Sequence, residues 1–331
     1  MKSKVELEEI TKKILLSKTI KDEKLAVDEL SVFYSELIST FHLKNYVERE
    51  TNVKGGIALS PEHAKDCLED YIRTARFIKG TFKGIQSAIS IFKTKVNILY
   101  AGTGPLATLI IPLLPFFRSS EISIIFVDIH EESIKSVKKI IQHLGFDAYV
   151  NEFCVEDATK FKIKEGTQLH VVVTETMDKA LTKEPQVAIT QNLTTQLLDK
   201  GILIPEKIEI SSRKSFFAKE KSFGTINNKK EKYINLEKKE FLFSITKNTF
   251  YFKNSYSFES NTICITKNIE DTPDVCIYTK VNVFDNIYIN EGESLITNPY
   301  CVQSLYSFSE RKYKLIYTSN FMGEWKLKKA L

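Results

Sequence analysis

The chain has 331 residues, 43% hydrophobic and 27% charged, with a net charge of +5. These values fit a soluble globular protein of two domains, or one domain with a substantial extension. Neither a high net charge nor an aromatic–basic stacking pattern is present, which argues against a nucleic-acid partner. The five cysteines (Cys67, Cys154, Cys264, Cys276, Cys301) are scattered without a CxxC pair, against a disulfide framework or a structural zinc site and in favour of a reducing compartment.

Along the chain, MKSKVELEEITKKILLSK (1–18) carries acidic residues and no continuous apolar core, so it is not a secretory signal. Residues 1–95 are expected to form a helical region. Apolar positions three and four apart over 25–41 predict an amphipathic helix. TNVKGGIALSPEH (51–63) predicts a loop around Gly55 and Gly56. Ser60–Pro61 predicts a helix start, with the helix running on through EHAKDCLEDYIRTARFIKG (62–80).

Residues 96–205 alternate in texture. VNILYA (96–101), EISIIFVDIH (121–130), DAYVNEF (147–153), LHVVVTE (169–175) and GILIP (201–205) predict strands. EESIKSVKKIIQHLG (131–145) and QVAITQNLTTQLLDKG (186–201) predict helices, the first closed by Gly145. Strands separated by such helices imply a parallel sheet wound on both faces. PLATLIIPLLPFF (105–117) contains Pro112 and Pro115 and is shorter than the roughly 20 apolar residues a bilayer span needs. It predicts a buried helix with an irregular end. The expectation is a cytoplasmic protein without a membrane partner.

From 206 to 331 the segments KIEISS, KYINL, EFLFSITKN, TICITKN, CIYTKVNVF and YKLIYTS are short, β-branched and aromatic, predicting an antiparallel β domain. The basic stretch 212–232 predicts a solvated loop.

Several residues could carry chemistry. AGTGPLA presents Gly102, Gly104 and Ala107 after the first strand of the sheet, where glycines let the backbone approach a ligand. Asp128 ends the next strand, in position to accept from ribose hydroxyls. In VEDA, Glu156 or Asp157 could take an adenine amino group, although Asp157 also suits a helix cap. Asp70 and Arg73 are three apart on one helix. They read either as a surface ion pair or as an arginine set to hold a ligand carboxylate. In VVVTETMDKALTKEP (171–185), Glu175 sits at a buried strand end and Glu184 follows nine residues on. Two carboxylates at the carboxyl edge of a parallel sheet call for a cation between them, and a guanidinium fits. Alternatively, Glu184 caps the helix after Pro185, or both glutamates are solvated.

TETMDKALTKE (174–184) resembles the double-glutamate loop of the protein arginine methyltransferase family, with Glu175, Met177 and Glu184 in register. LEDYIRT (68–74) is similar to that family's cofactor helix, and ILYAGTGPLA, VDIH and VEDA follow its cofactor motifs in order. The resemblance covers about 60–215. Tyr100 replaces the usual acidic residue before the glycine loop, Thr176 replaces an aromatic, and the Thr-His-Trp loop is absent, with Trp325 in GEWK as its only trace.

The resemblance implies an α/β fold: a Rossmann-like doubly wound methyltransferase sheet (96–205), an N-terminal helical region including a cofactor-covering helix (1–95), and a C-terminal antiparallel β domain (206–331) for substrate and oligomerisation. It implies S-adenosyl-L-methionine held by Arg73, Gly102, Gly104, Asp128, Glu156 and Asp157, with Met177 packing nearby. It also implies methyl transfer to a guanidinium clamped by catalytic Glu175 and Glu184. The acceptor would be a small guanidino compound or an arginine-containing protein, and a homodimer is compatible. Transfer to another small amine, or a binding protein that kept the fold without turnover, stays open.

Overall fold

The computed structural model describes residues 2–41, 49–224, 239–249, 256–265 and 269–330. Two helices open the chain, α1 (Lys4–Leu16) and α2 (Ile20–Thr40). Ser3 caps the first, and a reciprocal Thr19–Asp22 capping box starts the second. Their buried stripes, Leu7, Ile10 and Ile14 against Leu30, Phe33 and Leu37, pack on each other. The segment expected as a loop is a two-stranded hairpin, β1 (Thr51–Val53) and β2 (Gly56–Ala58).

The single helix expected from Pro61 onward is broken. A short α3 (Pro61–Asp66), capped by Ser60, gives way to a 3-10 turn over Cys67–Glu69. Asp70 then restarts the chain as α4 (Tyr71–Phe92) by accepting from the Arg73 amide at 3.2 Å. Its other carboxylate oxygen accepts from Ser294 Oγ at 2.6 Å and the Leu295 amide at 2.8 Å. Asp70 is therefore a buried cap that ties α4 to the far end of the chain, not half of a surface ion pair. The break places Arg73 in the first turn of α4.

Five parallel strands form the central sheet: β3 (Val96–Ala101), β4 (Ile122–Asp128), β5 (Val150–Val155), β6 (Leu169–Thr174) and β7 (Leu197–Ile204), in the order β5-β4-β3-β6-β7. Helices α5 (Glu131–Leu144) and α6 (Gln186–Thr194) complete the winding. Successive residues along a strand point to opposite faces. Accordingly Ile98, Tyr100, Ile124 and Val171 join one core with α1, α2 and α4, while Leu99, Ala101, Ile125 and Val172 join another with α6. That two-sided burial explains the unbroken apolar runs.

Two expectations are corrected in this sheet. Residues 105–117 form turns and a 3-10 segment (Ile111–Phe116) rather than an α-helix, because Pro112 and Pro115 remove amide donors and clash with the preceding turn. The helix expected to reach residue 201 stops at Thr194, and β7 starts at Leu197. Its pairing with β6 jumps from Leu169↔Leu197 to Val171↔Ile202.

The C-terminal part is antiparallel. One sheet holds β8 (Lys207–Ser215), β9 (Glu240–Thr246), β12 (Asp274–Phe284), β13 (Ile287–Ile289) and β14 (Tyr300–Ser304). The other holds β10 (Ser257–Glu259), β11 (Ile263–Cys264), β15 (Lys312–Thr318) and β16 (Glu324–Lys329). The strand expected at KYINL, parts of the basic stretch 212–232 and the end of TICITKN lie outside the described residues. Among the described residues no helix is long and apolar enough to cross a membrane.

Candidate active site

The central sheet changes direction of winding between β3 and β6, and ligands of such sheets bind outside the carboxyl ends of the strands at that point. A cleft of about 940 Å3, partly open to solvent, lies there. Its walls include Arg73, Gly102, Gly104, Asp128, Glu175 and Glu184. Asp157 also lines it. Glu156 is exposed and stands apart from the lining, and Met177 is buried beneath the loop that follows β6.

Around the glycine loop the geometry is tight. Gly102 has φ +70°, and a Cβ there would run into the Thr176 methyl; only glycine combines that backbone with that approach. Ala107, the last position of the glycine loop, also adopts positive φ (+44°). Asp128 reaches back across the cleft floor. Its Oδ2 accepts from the Gly104 amide at 2.9 Å and Thr103 Oγ1 at 3.4 Å, and its Oδ1 from the His130 amide at 2.9 Å. Burial pushes its carboxyl above the ordinary value, against the pull of those hydrogen bonds. Asp157 takes the local cap role: its Oδ1 accepts from the Thr159 amide at 2.9 Å and hydroxyl at 2.7 Å.

On the other wall, Glu175 leaves β6 buried and forms an ion pair through Oε2 with Nη2 of Arg73. Without a ligand, the cation that faces Glu175 is thus a guanidinium of the chain itself. The second oxygen, Oε1, is buried with no hydrogen-bond partner among the described residues. A buried carboxylate oxygen left unpaired is costly, so it marks where a ligand donor fits. Glu184 does not cap α6, which has no side-chain cap. It lines the cleft instead, where burial lifts its carboxyl to about 7 although the Arg73 guanidinium pulls the other way.

The loop between the two glutamates is fixed from outside the sheet. Ala180, Leu181 and Lys183 all have positive φ (57°, 57° and 56°), a conformation that costs a non-glycine residue about 1–2 kcal/mol. Four contacts hold it. The Ala180 amide donates to Thr279 Oγ1 at 3.0 Å, and Trp325 Nε1 donates to the Ala180 carbonyl at 2.9 Å. Tyr317 donates its hydroxyl to the Leu181 carbonyl at 2.9 Å, and the Ile57 amide of the hairpin donates to the Lys183 carbonyl at 2.8 Å. Gly56 sits so close to the Lys183–Pro185 backbone that any Cβ there would collide with it. Trp325 is buried under this loop, stacked on Phe243.

Sequence reasoning missed several members of the site. Gln186 accepts from the Thr176 amide at 2.9 Å and hydroxyl at 3.1 Å, fixing the strand end. His130 and Ser133 line the cleft, and His130 Nε2 and Ser133 Oγ are buried without partners among the described residues. The start of α5 immediately after the Asp128 strand was the available signal for both. No cluster of three or more metal-ligating side chains occurs among the described residues.

In fold, the chain matches the Trypanosoma brucei PRMT1 enzyme–prozyme heterotetrameric complex with AdoHcy, with a TM-score of 0.53 and 11% sequence identity. The match covers 79% of this chain and 96% of the other. The architecture is a PRMT-like methyltransferase fold. Helical N-terminal region, parallel sheet and antiparallel C-terminal sheets occur in both. No protein-family model matches the sequence, and no curated protein matches it either.

Proposed function

We propose that the protein is an S-adenosylmethionine-dependent N-methyltransferase whose acceptor carries a guanidinium group. One observation carries this reading: Arg73, Glu175 and Glu184 converge in one cleft at the carboxyl edge of the sheet, with a buried Glu175 oxygen left unpaired.

The cleft fits the cofactor on its own chemistry. Arg73 offers a fork-shaped cation for a carboxylate, Gly102 lets a ligand approach the backbone, and His130 Nε2 and Ser133 Oγ are polar atoms awaiting partners. When bound, S-adenosylmethionine supplies a methyl group already activated on sulfonium. The chain's part is then alignment and electrostatics. Arg73 holds the cofactor carboxylate, and Asp128 shapes the ribose end. Glu175 and Glu184 grip the acceptor guanidinium, orient one nitrogen and stabilise the positive charge that methylation adds. Glu184, poised near neutrality, can take up the proton that nitrogen loses.

Mass spectrometry of products from the pure protein, isotopically labelled S-adenosylmethionine, and a panel of arginine, arginine peptides and small amines tests this. Label is expected on the guanidinium of at least one arginine-type acceptor. Label confined to amines would move the reaction to another acceptor class. Cofactor binding without label on any acceptor would leave a binding protein on a methyltransferase scaffold.

A further inference from the structure

We propose that Cys276 and Cys301 form a site of reversible oxidation, closing to a disulfide that joins β12 to β14. The two are direct partners in the antiparallel register of those strands. Residues so opposed have Cα atoms about 4.5–5.5 Å apart and side chains on one face, inside the roughly 4.4–6.8 Å that disulfides span. Cys276 is fully buried and Cys301 partly exposed, so an oxidant meets Cys301 first. The chemistry of the pair has the same polarity. Contact with Cys276 holds the Cys301 thiol below its ordinary range, while that contact and burial push the Cys276 thiol well above it. Both are free thiols here.

With hydrogen peroxide as oxidant, the Cys301 thiolate attacks one peroxide oxygen. An S–O bond forms, the O–O bond breaks, and hydroxide leaves. The Cys276 thiol then gives its proton to that hydroxide, and its sulfur attacks Cys301, expelling a second hydroxide that is protonated to water. Two electrons pass from sulfur to peroxide, and two waters result. A small dithiol reverses the bond by exchange. Three residues along β12 from Cys276, Thr279 holds the Ala180 amide of the glutamate loop. The cross-link therefore fixes a neighbour of the strand that supports that loop.

The test uses the full-length protein, reduced, freed of reductant and treated with one equivalent of hydrogen peroxide. The expected product has lost two hydrogens by intact mass. Its non-reducing peptide map shows Cys276 joined to Cys301, and dithiothreitol restores the starting material. Cys301→Ser should abolish the cross-link, whereas Cys276→Ser should leave a sulfenic acid at Cys301 that dimedone traps. Because the wild-type map alone decides, a variant that fails to fold does not blunt the test. A map in which both cysteines stay open to alkylation overturns the proposal. So does one in which Cys301 gains oxygen while Cys276 remains a free thiol.

Discussion

The two loops that build the cleft are held in opposite ways. The glycine loop after β3 is tied down by its own sheet: Asp128 at the end of the neighbouring strand binds Gly104 and Thr103 directly. The glutamate loop after β6 is clamped by distant parts of the chain, through Thr279, Tyr317 and Trp325 on one side and Ile57 on the other. The glycine loop thus rests on the local α/β unit, while the glutamate loop also rests on the β domain and the hairpin. If the first half serves the cofactor and the second the acceptor, damage to each should separate in binding and turnover.

Glu175→Gln is the severest test of that division. It removes the charge that matches Arg73 and an acceptor guanidinium while keeping side-chain size. Turnover should fall by about 100-fold or more. The ligand-free protein should lose roughly 3 kcal/mol in a denaturant titration, because Arg73 is left buried without its partner. S-adenosylhomocysteine should still bind, since its carboxylate can take the freed Arg73. Loss of both ligands together would show that the two halves are not separable.

Asp128→Ala should do the reverse. Cofactor affinity should drop by about 1.5–3 kcal/mol in calorimetry, with acceptor contacts intact. A cofactor analogue without ribose hydroxyls should be affected much less. If the analogue weakens equally, Asp128 acts only as the brace for Gly104.

The contrast between the loops also explains how much could be read from the sequence. Strands β3, β4 and β6 announced themselves through unbroken apolar runs, and Gly102, Gly104, Asp128, Glu175 and Glu184 sit at strand ends or in the loops that follow them. Position along a local element was enough to mark them as cleft candidates. Arg73 was legible as a residue, but its pairing with Glu175 was not, since about a hundred residues separate them. Nor were two anchors of the glutamate loop: Thr279 and Tyr317 show only ordinary strand alternation until the tertiary fold brings them under Ala180 and Leu181, whereas Trp325 stood out only through the family resemblance. The hairpin at 51–58 was hidden because its strands are three residues each, too short for a period to register. Residues 105–117 misled through their apolar content, which two prolines overrode.

Glu184 offers a finer probe of the acceptor half. Its folded pKa of about 7 lies above the ordinary 4.5, so the folded protein holds an extra proton between those values. Its contribution to stability therefore falls as pH rises from about 4.5 to 7, and the penalty is complete above pH 7. Discounted for its partial exposure, that penalty is about 1–2 kcal/mol. Glu184→Gln should remove it: denaturant titrations of variant and wild type should agree near pH 4 and diverge towards pH 8, with the variant more stable. Parallel pH profiles would place the Glu184 carboxylate in solvent.

Trp325→Phe should have the smallest effect. It keeps a ring against Phe243 but deletes the donor to the Ala180 carbonyl. Stability should fall by about 1 kcal/mol, and the Michaelis constant for the acceptor should rise with cofactor affinity unchanged. A change in cofactor affinity instead would link Trp325 to the wrong loop.

The most direct test is calorimetry of arginine and an arginine peptide binding to the S-adenosylhomocysteine complex at pH 6.5, in buffers of different ionisation heat. A guanidinium gripped by both glutamates must convert Glu184 to its charged form. Binding should therefore release up to about one proton, and should weaken by about tenfold or more in both Glu175→Gln and Glu184→Gln. Equal affinity in all three proteins, with no proton released, would contradict the double-glutamate clamp.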